Sequence, residues 1–232
     1  LAHRPPELAV QVVRHPHDVK PAHRSHPTPL IDPNGALTPP TQAVLALVSG
    51  VAPSLLQAVR VRPASSNWLR APWYRYARGG AMTIGRTIWF TARWWHDPGL
   101  ADRSVQSTNR WLMHLAHEVG HLPQAERFGY SFLGRARYVT CFAYQYGMRV
   151  LAFKRDVHDG APLEIEADIG RWVLAHLLGP APDTSSLIHA LQHGDASAVA
   201  EWCTVHRTQA EALRSHYRAL AAGRSKLAAG SP

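Results

Sequence analysis

The sequence predicts an α+β, mainly helical fold, and three observations carry that prediction. The stretch "LMHLAHEVGHL", residues 112–122, repeats its apolar residues at helical spacing. Two β-rich runs in "AMTIGRTIWFT" meet at Gly85-Arg86, which reads as a β-hairpin. The periodic segments that follow it all read as helices. With 232 residues, 46% hydrophobic and 18% charged, the chain can bury one core of ordinary size.

Taken in order, residues 1–40 hold nine prolines and five histidines with little periodicity, so an irregular Pro/His/Arg-rich arm is expected. A single domain over 41–222 and a flexible tail over 223–232 complete the expected organisation. From Thr41, "TQAVLALVSGVAPSLLQAVRV" reads as one or two short helices broken around Gly50 and Pro53. Next comes "NWLRAPWYRYARGG", where Trp68, Trp73, Tyr74 and Tyr76 alternate with Arg70, Arg75 and Arg78. Such a stretch can stack nucleic-acid bases, or it can form an apolar lid with an arginine rim. After the hairpin, capping residues at Ser107 to Asn109 start a helix expected to run to about Phe128. A second long helix is expected from about Leu133 to Lys154. A third follows with Pro162 in its first turn, where the missing N–H costs nothing. Helices at about 184–193 and 196–222 close the domain.

The formal charge of +9 and pI near 10.1 favour acidic partners such as nucleic acid, anionic lipid or an envelope polymer. No apolar run reaches transmembrane length, and the N-terminal residues lack the apolar core of a signal peptide. Cys141 and Cys203 make neither a disulfide framework nor a Cys-based metal site. The sequence contains no P-loop, no GxGxxG and no GxSxG, which argues against nucleotide and serine-hydrolase chemistry.

Chemistry concentrates in His117, Glu118 and His121, an H-E-x-x-H motif that this composition would produce by chance about 0.03 times per chain. At about 100° per residue, with His117 at zero, His121 falls near 40°, His114 near 60° and Glu118 near 100°. Leu112, Leu115, Val119 and Leu122 fall opposite. Imidazoles at i,i+4 on a helix can share one zinc, and the glutamate between them can take a proton from water. Two protein ligands hold zinc weakly, so a third is required. A histidine ten residues after the first is absent, since that position is Arg127, and Gln124 stands where the accompanying glycine would be. "LEIEADIG" supplies the other solution: Glu164 as ligand, with Asp168 one turn on to accept the free N–H of a ligand histidine. Glu166 is a second carboxylate in the same segment, and the spacing leaves the choice open. His114 shares the polar face in a structural or supporting role. Tyr138, Tyr144, Tyr146 and His158 are unranked candidates to stabilise a developing oxyanion.

"AHEVGH" followed by "EIEAD" resembles the gluzincin type of zinc metallopeptidase, and the ExxAD portion is similar to Ste24/HtpX-like enzymes. The closer resemblance is to soluble bacterial DUF4157-like HExxH domains found beside secretion and injection systems, through "VRVRP", "MTIGRTIWF" and "LAHEVGHLPQ". It covers roughly Val59 to Leu178 and departs at Leu122-Pro123, where the helix is expected to kink or end. The resemblance implies a zincin-like fold with one zinc per chain held by His117, His121 and Glu164, and Glu118 as general base. It implies that "RTIWFT" is the strand that pairs with an extended peptide substrate. It also implies a bacterial protein, cytoplasmic or exported by a specialised system, with an effector or toxin role. The alternative is a basic module that associates with nucleic acid or an envelope polymer around a non-peptidase zinc site.

Overall fold

The computed structural model describes residues 28–64, 80–96, 104–151, 160–181 and 185–230. The first 27 residues, most of the aromatic, basic stretch, and His158 lie outside these ranges, so the expectations placed on them have no structural counterpart here. The described residues are mainly helical with one three-stranded sheet, as the periodicities predict.

Helices α1 (Pro39–Ser49) and α2 (Pro53–Gln57) each begin with proline in the first turn, and Gly50 ends α1 in the left-handed region. The core begins earlier than the expected boundary at Thr41. Leu30, Ile31 and Leu37 are buried, and the Val61 N–H donates to the Gly35 carbonyl at 2.7 Å, docking residues 28–38 onto the sheet.

Strands β1 (Arg60–Pro63), β2 (Ala81–Ile84) and β3 (Thr87–Phe90) lie in the order β1-β3-β2. The hairpin turns at Gly85-Arg86 as expected, with Thr83 opposite Ile88, while β1 runs parallel to β3. This corrects one expectation: β3, the "RTIWFT" strand, has both edges occupied and cannot receive a peptide. Among the described residues β2 is the edge strand on that side.

After the short helix α3 (Ala92–Trp95) comes α4 (Val105–Glu118). Its cap is Ser104, whose Oγ accepts the Ser107 N–H at 3.1 Å, so the helix starts before the predicted cluster. Trp111 on α4 packs on Phe90 of β3 at 4.6 Å between ring centres, with Trp94 and Trp95 edge-on to it at 5.9 Å. This aromatic cluster holds the apolar face of α4 against the sheet.

The helix predicted to continue to Phe128 breaks at Val119-Gly120 and resumes as α5 (His121–Phe128). The break precedes the expected site, because Pro123 occupies the third position of the new helix, where a missing N–H is harmless. Helix α6 (Phe132–Leu151) follows, then α7 (Pro162–Ala167) and α8 (Ile169–Leu178), separated by a bend at Asp168. The last predicted helix is two, α10 (Ala196–Val205) and α11 (Arg207–Gly230), after α9 (Ser186–His193). The backbone of α11 continues past the predicted tail boundary at 223. Among the described residues no helix is long and apolar enough to cross a membrane.

Candidate metal centre

The break at Gly120 places the two motif histidines on different helices without spoiling their spacing. His117 lies in the last turn of α4, His121 opens α5, and the Gly120 N–H donates to the His117 carbonyl at 2.9 Å. Helix α7 lies across this junction and delivers Glu164, and the bend after it delivers Asp168. His117, His121 and Glu164 are all buried, and they form a group able to hold a metal ion.

The spacing of their atoms tests that ability. His117 Nε2 and His121 Nε2 are 3.3 Å apart, and Glu164 Oε2 stands 3.1 Å from the first and 3.5 Å from the second. Tetrahedral zinc, with bonds of about 2.0–2.1 Å, requires neighbouring donors to be about 3.3 Å apart. The three atoms therefore already form one face of such a tetrahedron.

The other ring nitrogens determine how these atoms are charged. His117 Nδ1 lies 2.5 Å from Asp168 Oδ1, and His121 Nδ1 lies 2.8 Å from Gln124 Oε1. The Gln124 amide cannot turn round, because its Nε2 donates to the Leu163 carbonyl at 2.8 Å and to Glu166 Oε2 at 3.0 Å. Both Nδ1 atoms thus face acceptors and carry hydrogen, which turns both Nε2 lone pairs towards each other and towards a carboxylate oxygen. Such a convergence is repulsive unless a cation occupies it. Without a metal a proton meets the same need: although burial alone lowers the His117 pKa, hydrogen bonds to Asp168 and Glu164 raise it to about 10, the second proton lying on the nitrogen that faces Glu164. Burial raises the Glu164 pKa, but bonds to the same two histidines outweigh it and hold the group well below the usual carboxylate range.

Glu118 sits beside the cluster, buried, and its Oε2 accepts from the Thr83 hydroxyl of β2 at 2.7 Å. That bond leaves the second carboxylate oxygen for other work. Glu164 is supported in the same manner: the Tyr146 hydroxyl of α6 donates to its Oε1, leaving Oε2 for the histidines.

The structure sorts the remaining candidates. Glu166, two residues after Glu164 and on another face, is 44% exposed and pairs with Arg127 at 2.7 Å, so Glu164 belongs to the cluster and Glu166 does not. Asp168 bridges His117 and Arg171, whose Nη2 lies 2.7 Å from its other oxygen. His114 stacks on Trp94 at 3.9 Å between ring centres, away from the donors; burial and the neighbouring charges of His117 and Arg171 lower its pKa to about 4. Tyr138 is packed between Phe128 and Phe142, Tyr144 is 66% exposed, and Tyr146 is the tyrosine of the three that bonds to the cluster.

Three contributors had no role assigned from sequence: Gln124, Thr83 and Arg171. The i,i+3 spacing of His121 and Gln124 was a readable signal. Thr83 left none, since it meets Glu118 from 35 residues away. Compared with known proteins, the chain matches no family model, no curated protein and no solved structure.

Proposed function

We propose that the chain is a zinc-dependent metallopeptidase of gluzincin type, with His117, His121 and Glu164 as ligands of one zinc per chain. The observation that carries this reading is the convergence of two imidazole Nε2 atoms and one carboxylate oxygen at 3.1 to 3.5 Å, with both Nδ1 atoms committed to acceptors. Two neutral imidazoles and one carboxylate, with a further position left for a small molecule, are the donor set of catalytic rather than structural zinc. When bound, zinc supplies Lewis acidity towards water and a substrate carbonyl.

The chain's own residues supply the rest. Glu118, oriented by Thr83, accepts a proton from the attacking water and passes it to the leaving nitrogen. Tyr146, whose pKa is raised by burial and the neighbouring Glu164 charge, keeps its proton and donates it to Glu164 Oε1, so it orients that ligand and would reach a developing oxyanion only by giving up this bond. Asp168 and Gln124 fix the tautomers of the two histidines. β2, the edge strand among the described residues, would offer backbone groups to an extended peptide beside Glu118.

Metal analysis of dialysed protein, paired with cleavage of unfolded protein substrates, tests the proposal. One zinc per chain in wild type and Glu118→Gln, loss of zinc in His117→Ala and Glu164→Ala, and turnover only in wild type are expected. Wild-type protein without zinc would sink the reading. Zinc without any difference in cleavage between wild type and Glu118→Gln would reduce it to a metal site.

A further inference from the structure

Helix α6 has two unlike faces. The inner face carries Tyr138, Phe142 and Tyr146 against α5 and the metal centre, and Gly134 allows close approach to the carbonyls of Phe128 and Gly129. The outer face is apolar and open: Phe132 is 90% exposed, Leu151 73% and Leu133 58%, and Val139, Tyr144 and Val150 are exposed with them. At about 100° per residue these six side chains span an arc of about 140°, with exposed Arg135 and Arg137 on its two edges. An apolar surface of this width on one exposed helix calls for a partner.

Charge indicates which partner. From Arg127 to Arg155 the sequence holds no Asp or Glu, while it holds Arg127, Arg135, Arg137, Arg149, Lys154 and Arg155. Of those in the described residues, Arg127 is paired with Glu166 and Arg149 donates to the Gly160 carbonyl, whereas Arg135 and Arg137 flank the face, so pairing it with the same face of a second copy would bring these two arginines to their counterparts. The face is also the convex side of a single helix rather than a groove, so it suits a deformable surface better than an inserted peptide. An apolar arc bounded by two arginines, whose stems run along the apolar surface while their heads stay in water, fits the headgroup layer of an anionic bilayer.

We propose that α6 is a peripheral membrane-docking helix that lies in the plane of an anionic lipid surface, inserting Phe132, Leu133, Val150 and Leu151 below the headgroups. The same helix carries Tyr146 about 20° beyond Val139, on the side turned to the metal centre, so docking would set the metal centre beside the membrane surface. This inference stands independently of the peptidase reading, since it uses none of the metal ligands.

Sedimentation of the full chain with phosphatidylcholine vesicles, with and without phosphatidylglycerol, tests it. Wild type is expected to sediment with the phosphatidylglycerol vesicles, weakly or not at all with neutral ones, and less as salt is raised. Leu133→Glu with Val150→Glu is expected to weaken that binding at least about tenfold, because two apolar side chains that would insert below the headgroups are replaced by charges. Both positions are exposed, so the double variant should keep the wild-type thermal midpoint and metal content. Failure of wild type to bind anionic vesicles would overturn the proposal. So would wild-type binding by the double variant, which would assign the attraction to other basic segments. Light scattering that shows a dimer dissociated by the double variant without lipid would assign the face to a second copy instead.

Discussion

Gly120 lies against the backbone of Ala167: a Cβ added to Gly120 would stand 2.3 Å from the Ala167 carbonyl oxygen and 2.6 Å from its Cα. The glycine is not needed for its dihedral angle, since φ is −61° and any residue adopts that value. It is needed because the junction of α4 and α5 and the end of α7 touch backbone to backbone, and this contact sets the distance between His117, His121 and Glu164. Gly120→Ala is expected to cost about 1–3 kcal/mol or more of stability and to abolish stoichiometric metal binding, read by urea unfolding and metal content. Gly147→Ala, on the exposed side of α6 with nothing within 4 Å, is expected to be neutral or to stabilise by about 0.5–1 kcal/mol.

Asp168→Ala removes the acceptor of the His117 Nδ1–H and frees Arg171. Metal affinity is expected to fall by about tenfold to a hundredfold, measured by competition with a chromogenic chelator. Asp168→Asn, which keeps an oxygen acceptor but loses the charge, should fall between wild type and alanine.

Thr83→Val keeps shape at a buried position and deletes the donor to Glu118. A hydrogen bond to a charged group contributes about 1.5–3 kcal/mol. Metal content should therefore match wild type while kcat falls about tenfold to a hundredfold with KM little changed. Equal loss of metal and activity would show that Thr83 supports the fold rather than the orientation of the base.

His114 supplies a pH dependence with a definite sign. Its pKa is lowered from 6.5 to about 4 by burial and the charges of His117 and Arg171, so between these values the unfolded chain binds a proton that the folded chain does not. Stability then rises with pH across that window and is fully present above about pH 6.5. As pH falls from 7 to 4 the group is expected to withdraw up to about 3 kcal/mol, and His114→Gln should flatten that part of the urea-midpoint profile.

Much of the site was legible in the sequence because it depends on local periodicity. The i,i+4 spacing of His117 and His121, the hairpin turn at Gly85-Arg86 and the first-turn role of Pro162 follow from the geometry of one helix or one turn. The spacing also brought Glu164 and Asp168 forward. It could not choose between Glu164 and Glu166, because both lie in the first turns of a short helix whose rotation depends on what it packs against.

That choice belongs to tertiary structure. The contact of Gly120 with Ala167 and the capture of Glu166 by Arg127 and Gln124 turn Glu164 inward. The order β1-β3-β2, the approach of Thr83 to Glu118 and the breaks at Gly120 and His206 are likewise matters of packing between distant segments. By itself the sequence determined which residue types could share a metal and how they repeat along a helix. Only the fold decided which carboxylate reaches the histidines, which acceptors set their tautomers and which strand lies at the edge of the sheet among the described residues. The physical reason is that short-range geometry is written in residue spacing, whereas these relations come from side chains and backbone meeting across 35 to 51 positions of chain.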